Sequence, residues 1–174
     1  MKAVVQRVID ASVTVDGVVK GSIGRGLLVY VGVAHDDSPA DADWLAEKTV
    51  NLRIFNDTDD KMNLSLLEIV NQENDMVNDD EVNSVSPLVN SMLPMPLYGV
   101  LAISQFTLLG DARKGRRPSW GRAAPPEKAR DLYIYLIEKI REKGLPCESG
   151  EFQAHMMVRC TNDGPVTILL DSKE

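Results

Sequence analysis

The sequence predicts an α+β fold. Residues 2–33 form β-branched runs broken by Asp16-Gly17 and Gly24-Arg25-Gly26, and helix signatures begin at Ser38-Pro39 and at Pro125-Pro126. No internal repeat or linker divides the 174 residues, so the chain is expected to form a single domain, 1–174. A chain of this size buries roughly 68–70% of its unfolded surface, enough for a real core.

Each element has a local cause. Lys2 to Asp10 and Ser12 to Val15 are rich in β-branched residues, and Asp16-Gly17 is a type I′ hairpin signal leading into Val18 to Ile23. Leu27 to Val33 is almost wholly apolar, as in a strand buried on both faces. Ser38 caps the first helix, with proline at its first position and Asp41 and Asp43 in its first turn. Leu52 to Phe55 reads as a strand and Asn56 to Lys61 as a polar turn. From about Ile69 to Leu97 no periodicity emerges, and the acidic, proline-containing stretch predicts a long inserted loop or flap. Tyr98 to Phe106 is a strong strand. The second helix carries its apolar stripe on Ala129, Leu132, Tyr133, Leu136, Ile137 and Ile140 and closes at Lys143-Gly144. Phe152 to Cys160 and Val166 to Leu170 are expected as two final strands joined by a turn at 161–165.

Composition narrows the function. With 44% hydrophobic and 26% charged residues and only strand-length apolar runs, the chain reads as a soluble protein of the cytoplasm without a membrane span. Cys147 and Cys160 lack a CxxC spacing, and His35 and His155 are too scattered for zinc, so no metal and no cofactor are expected. The net charge of −7 argues against nucleic acid until its distribution is seen. Six acids and no base lie between Glu68 and Tyr98. Arg113 to Arg130 holds seven bases against Glu127 alone. One strong basic patch sits on an acidic chain.

Two segments could carry chemistry: Ser104-Gln105-Phe106-Thr107 at a strand end, and Asn162-Asp163-Gly164-Pro165-Val166-Thr167 near the C-terminus. Alone, the first could be an alternating strand and the second a hairpin turn. They occur together with the basic loop Gly110-Asp111-Ala112-Arg113-Lys114-Gly115-Arg116-Arg117-Pro118-Ser119, with 1–8, 42–55 and 61–66, with Ala123-Ala124-Pro125-Pro126, and with Gly150-x-Phe152-x-Ala154-x-Met156. In this ordered set the chain resembles the D-aminoacyl-tRNA deacylases over nearly its whole length except about 69–97, where the family is shorter. Leu109 and Ala112 also replace residues expected to be Tyr and Cys.

The resemblance implies a compact antiparallel, β-barrel-like sheet flanked by two helices, assembled as a homodimer with active sites at the subunit interface. It implies hydrolysis of the ester of D-aminoacyl-tRNA, and of mischarged glycyl-tRNA. A cis Gly164-Pro165 element from the partner subunit would exclude L-aminoacyl esters by steric clash, and Arg7 would support it. The same resemblance makes Ser104, Gln105, Phe106 and Thr107 the catalytic segment, Phe152 and Met156 the pocket for the terminal adenine, and Lys114, Arg116 and Arg117 contacts to acceptor-stem phosphates.

Thr107 as nucleophile would need an adjacent base, and only the remote His155 offers one. The alternative is an oxyanion held by backbone N–H groups around 105–107, with the neighbouring ribose hydroxyl orienting the attacking water. Two competing readings are a non-catalytic dimeric nucleic-acid-binding protein and a Thr- or Cys-dependent hydrolase. The intact SQFT and NDGPVT segments oppose the first. The missing base and the placement of both cysteines outside the motifs oppose the second.

Overall fold

The computed structural model describes residues 1–79 and 96–174. In chain order the elements are β1 (Lys2–Val15), β2 (Val18–Ile23), β3 (Arg25–Gly32), α1 (Pro39–Asn51), β4 (Phe55–Asn56), β5 (Met62–Leu64), α2 (Leu66–Asp79), β6 (Tyr98–Ser104), a 3₁₀ turn (Phe106–Leu109), α3 (Pro126–Glu142), β7 (Cys147–Ser149) and β8 (Met157–Asp171).

Six strands form one sheet organised around β1. Along one edge β1 pairs first with β3 (Val4 with Tyr30) and then with β2 (Val13 with Gly21). Along the other edge β8 follows it from Lys2–Asp171 to Thr14–Met157. The far end of the sheet runs β3–β6–β7 and curls back on itself. A Cβ on Gly21 of β2 would stand 2.9 Å from the Ser149 carbonyl oxygen of β7, so the two ends meet and only glycine allows that approach. The result is a nearly closed, barrel-like sheet with helices outside.

Several sequence expectations need correction. The sheet is mixed, because β3–β6 and β6–β7 are parallel pairs; only the β1 pairings are antiparallel. Three α-helices, not two, are present among the described residues. The third is α2, where a loop was expected from Ile69 onward. Its cause is a capping box: the Ser65 amide and hydroxyl donate to Glu68 Oε2 at 2.7 and 2.9 Å, and the Glu68 amide donates back to Ser65 Oγ at 3.2 Å. Leu66 is fully buried beneath it. The rest of the expected loop, 80–95, lies outside the described residues.

The C-terminal region also differs. Phe152 to Met156 is a turn rather than a strand, and the two expected strands are one, β8, with NDGPVT inside it. A hairpin turn would reverse the chain there. Instead both halves of β8 pair with the same strand: Thr167 opposes Gln6 and Asn162 opposes Val8, so residues 163–166 stand opposite Arg7 alone. The segment is an outsized bulge.

Burial on both faces of β3 matches the sequence reading. Leu27, Val29 and Val31 join a core with Leu45 and Ala46 of α1 and Leu136 and Ile140 of α3. Leu28 joins a second cluster with Val8, Val13, Ile23, Leu101 and Ile103. Each fully buried Leu or Ile contributes about 1.5–3 kcal/mol. The α1 cap binds the chain's C-terminal end to this core. Ser38 donates to Asp41 Oδ2 at 2.8 Å, Ser172 Oγ donates to Asp41 Oδ1 at 2.7 Å, and Lys173 Nζ lies 2.8 Å from the same carboxylate. Among the described residues no helix is long and apolar enough to cross a membrane.

Candidate functional site

The parallel pairing of β3 with β6 sets Val31 beside Ser104, and the Gln105 amide extends the ladder by donating to the Val31 carbonyl at 2.7 Å. The chain then tightens into the 3₁₀ turn, with Leu108 N–H to Gln105 O at 3.2 Å and Gly110 N–H to Thr107 O at 3.0 Å. The first amides of such a turn have no partner within it. At this strand end those amides belong to Phe106 and Thr107.

Opposite this turn, Ala124 N–H donates to Val33 O at 2.9 Å, which lays Ala123, Ala124 and the start of α3 over the end of β3. The 151–156 segment closes a third side, with Gln153 at φ +66° in its turn. Between these walls lies a cavity of about 570 Å³. Its floor is apolar, with Val31, Ile103, Ala129, Tyr133, Phe152 and Met156. Its polar edge carries Ser104, Gln105 and His155, with Phe106 beside them.

Packing fixes the floor. Tyr133 is buried, and its hydroxyl donates to the Ala102 carbonyl at 2.7 Å. That burial pushes the phenol pKa well above its ordinary value, so it stays neutral. The Tyr133 and Phe152 rings lie 6.1 Å apart and tilted. Gly150 makes room for Met156, since a Cβ there would fall 2.4 Å from Met156 Sδ.

Of the residues singled out in the sequence, Ser104, Gln105, Phe106, Phe152 and Met156 come together around this cavity. Thr107 follows on the exposed side of the turn, where its hydroxyl accepts from Gln105 Nε2 at 2.5 Å. Among the described residues no His, Lys or carboxylate bonds to it. Apart from the buried Tyr133 phenol, His155 is the one ionisable side chain among the described residues that lines the cavity.

Lys114, Arg116 and Arg117 stand apart on an exposed loop, closed by reciprocal Asp111 and Ser119 backbone hydrogen bonds of 2.8 Å. Asp111 is taken by Arg113, 2.5 Å away, and this bond holds the Asp111 carboxyl well below the usual carboxylate range. Among the described residues no acid pairs with the other three cations.

Gly164 and Pro165 are exposed, are joined by a cis peptide bond, and do not line the cavity of their own protomer. Arg7 is buried beside them. Its guanidinium donates to the Ile54 carbonyl at 2.5 Å and to the Asp163 carbonyl at 3.3 Å, and lies 3.1 Å from the Asp163 carboxylate. Among the described residues no group of three or more His, Cys, Asp or Glu side chains is arranged to hold a metal ion.

Sequence reasoning missed three contributors. Trp120 sets its ring 6.1 Å from Phe106, which is 56% exposed. Tyr133 was read only as part of a helix stripe, and Ala123-Ala124 only as a motif. An aromatic and two small residues between a basic loop and a helix start was the available signal.

The sequence profile described as D-Tyr-tRNA(Tyr) deacylase matches residues 4–79 and 78–171. The D-aminoacyl-tRNA deacylase of Koribacter versatilis (strain Ellin345) is 50% identical over 174 residues, covering 100% of this chain and 99% of that one. The D-aminoacyl-tRNA deacylase of Thermotoga petrophila is 48% identical with the same coverage. A solved structure titled c-Myc DNA Unwinding Element Binding Protein is 34% identical, with a TM-score of 0.77 and 98% of each chain covered. Another, of a probable eukaryotic D-amino acid tRNA deacylase, is 16% identical with a TM-score of 0.66 over 97% of each chain, a likeness of fold alone.

Proposed function

The chain belongs to the D-Tyr-tRNA(Tyr) deacylase family, and from that premise we propose that it hydrolyses the ester of D-aminoacyl-tRNA, releasing the free D-amino acid and the tRNA. The observation that carries this reading is the 570 Å³ cavity at the end of β6, where an apolar floor lies beside the first amides of a 3₁₀ turn, which have no partner within the turn.

An aminoacyl ester needs little activation. Its carbonyl oxygen gains negative charge as water adds, and the Phe106 and Thr107 amides at the start of the turn are the donors suited to hold it. The vicinal ribose hydroxyl of the terminal adenosine orients the water. Thr107 then positions rather than attacks, a role supported by its hydrogen bond to Gln105 and the lack of a base beside it. The terminal adenine lies on Phe152 and Met156, and Lys114, Arg116 and Arg117 meet acceptor-stem phosphates.

Handedness is set from the other subunit. The exposed Gly164-Pro165 bulge, with Arg7 anchoring the residue before it, enters the partner's cavity and places a carbonyl where an L side chain would collide. A D side chain points away and leaves only a hydrogen at the blocked position, as glycine does, which makes glycyl-tRNA a substrate too. The homodimer this requires is supported by apolar residues left exposed on β1 and β8: Ile9, Met157 (63% exposed) and Leu169 (77%).

The test is a paired assay. D-tyrosyl-tRNA should lose its amino acid while L-tyrosyl-tRNA keeps it; equal rates would remove the gate, and no release from either would remove the activity.

A further inference from the structure

The 3₁₀ turn has a second side. Phe106 faces the cavity already described, whereas Leu108 and Leu109 form the wall of another cleft of about 390 Å³, bounded by Lys2, Asp111, Arg113 and Arg122. Resting on the tRNA reading above, we propose that this cleft is an anion subsite that takes a phosphodiester of the substrate RNA.

Charge supports it. Three of the polar residues bounding the cleft are cations. Arg113 engages both carboxylate oxygens of the one acid, Asp111, at 2.5–3.1 Å and Lys2 is paired with Asp171, so Arg122 supplies the net positive charge. The Lys2 ammonium is held 2.9 Å from the Asp171 carboxylate. Arg122 helps hold Asp111 ionised through space, but among the described residues no carboxylate lies within ion-pair distance of it, so its planar donors remain available to an incoming phosphate.

Geometry supports it as well. The cavity and the cleft are lined from one four-residue turn, Phe106 on one side and Leu108 and Leu109 on the other. One RNA 3′ end can therefore seat its terminal nucleoside in the cavity and lay a neighbouring phosphate across the turn. The cleft opens beside the loop that carries Lys114, Arg116 and Arg117, so the two sites form one basic track.

Binding of uncharged, 5′-labelled tRNA to the full chain, followed by fluorescence anisotropy over a salt series, tests this apart from catalysis. Arg122→Ala should weaken binding about fivefold and reduce the slope of log Kd against log salt by about 1, the signature of one lost phosphate contact. Arg122→Lys should keep most of the slope. Arg113→Ala should weaken binding more, because it also leaves Asp111 unpaired and facing the phosphate. Lys48→Ala, a charge removed from the outer face of α1, should leave the slope unchanged. Wild-type affinity and slope in Arg122→Ala, or a wild type that does not bind tRNA, would overturn the proposal. A wild type that binds tRNA but releases no D-amino acid would instead defeat the deacylase reading, with the slopes still deciding the subsite.

Discussion

Arg7 and Asp163 are joined twice: the Arg7 Nε–H points at the Asp163 carbonyl 3.3 Å away and stands 3.1 Å from its carboxylate. The same guanidinium reaches the Ile54 carbonyl, so one buried cation fastens the bulge of β8 to the chain just before β4. Arg7→Ala should lower unfolding free energy in urea by about 2–4 kcal/mol, because it strands buried carbonyls. Its D/L rate ratio should fall further than that of Arg7→Lys, which keeps the charge but loses the fork. A variant with wild-type stability and chiral ratio would show that the contact is idle.

Gly150→Ala tests the cavity floor. The added methyl would crowd Met156 Sδ, a flexible tip that moves at small cost to the fold. We expect a rise in KM of about fivefold, about 1 kcal/mol, with kcat and Tm nearly unchanged. Gly150→Ala combined with Met156→Ala should not raise KM beyond Met156→Ala alone, whereas additive effects would mean that the glycine acts elsewhere.

Thr107→Ala should retain substantial deacylase activity, and tRNA ending in 2′-deoxyadenosine should be a poor substrate. Single-turnover rates distinguish the two models. An inactive threonine variant together with ready cleavage of the deoxy substrate would restore Thr107 as the nucleophile.

Acid should destabilise the chain partly through Asp41. Burial alone would raise its pKa, but hydrogen bonds from Lys173, Ser172 and Ser38 overcome this and hold the carboxyl far below its ordinary 3.8. A depressed folded value stabilises at every pH above 3.8, and that contribution is lost as pH falls below it, when the unfolded chain takes the proton first. Wild type should therefore exceed Asp41→Asn in stability at pH 7, with the gap closing between pH 4 and lower values in urea titrations. A gap independent of pH would contradict the assignment.

Leu169→Arg probes assembly. Leu169 is 77% exposed on the outer face of β8, so the substitution should leave the fold intact while turning dimer into monomer by light scattering. Chiral discrimination should be lost with it. A fully discriminating monomer would place the gate within one subunit.

Much of this was legible in the residues. The Ser38 cap, the stripe from Ala129 to Ile140 and the doubly buried run at Leu27 each name their element, because the signal and the structure are both local. The α2 helix was missed because the acids and asparagines after Ile69 hide a short apolar stripe, although Ser65-x-x-Glu68 marked its start. The parallel pairing of β3 with β6 has no local signature, since it depends on where the chain returns after α2. At the site, Gln105 and Phe152 were readable as motif members. The wall at Ala123 and Ala124 was not, because it emerges only when Ala124 bonds to Val33.

The detour at 163–166 also leaves the phase of everything after it in β8 to the pairing with β1. Side chains on a strand alternate sides, so a one-residue slip of Thr167 onward along β1, taken up in that detour, would exchange the two faces of the strand's final stretch. Ile168 and Leu170, now turned toward the core, would swing to water, and Leu169 would be forced inside. The register beyond this small excursion is therefore held by the hydrophobic interior as firmly as by any chemistry at its tip.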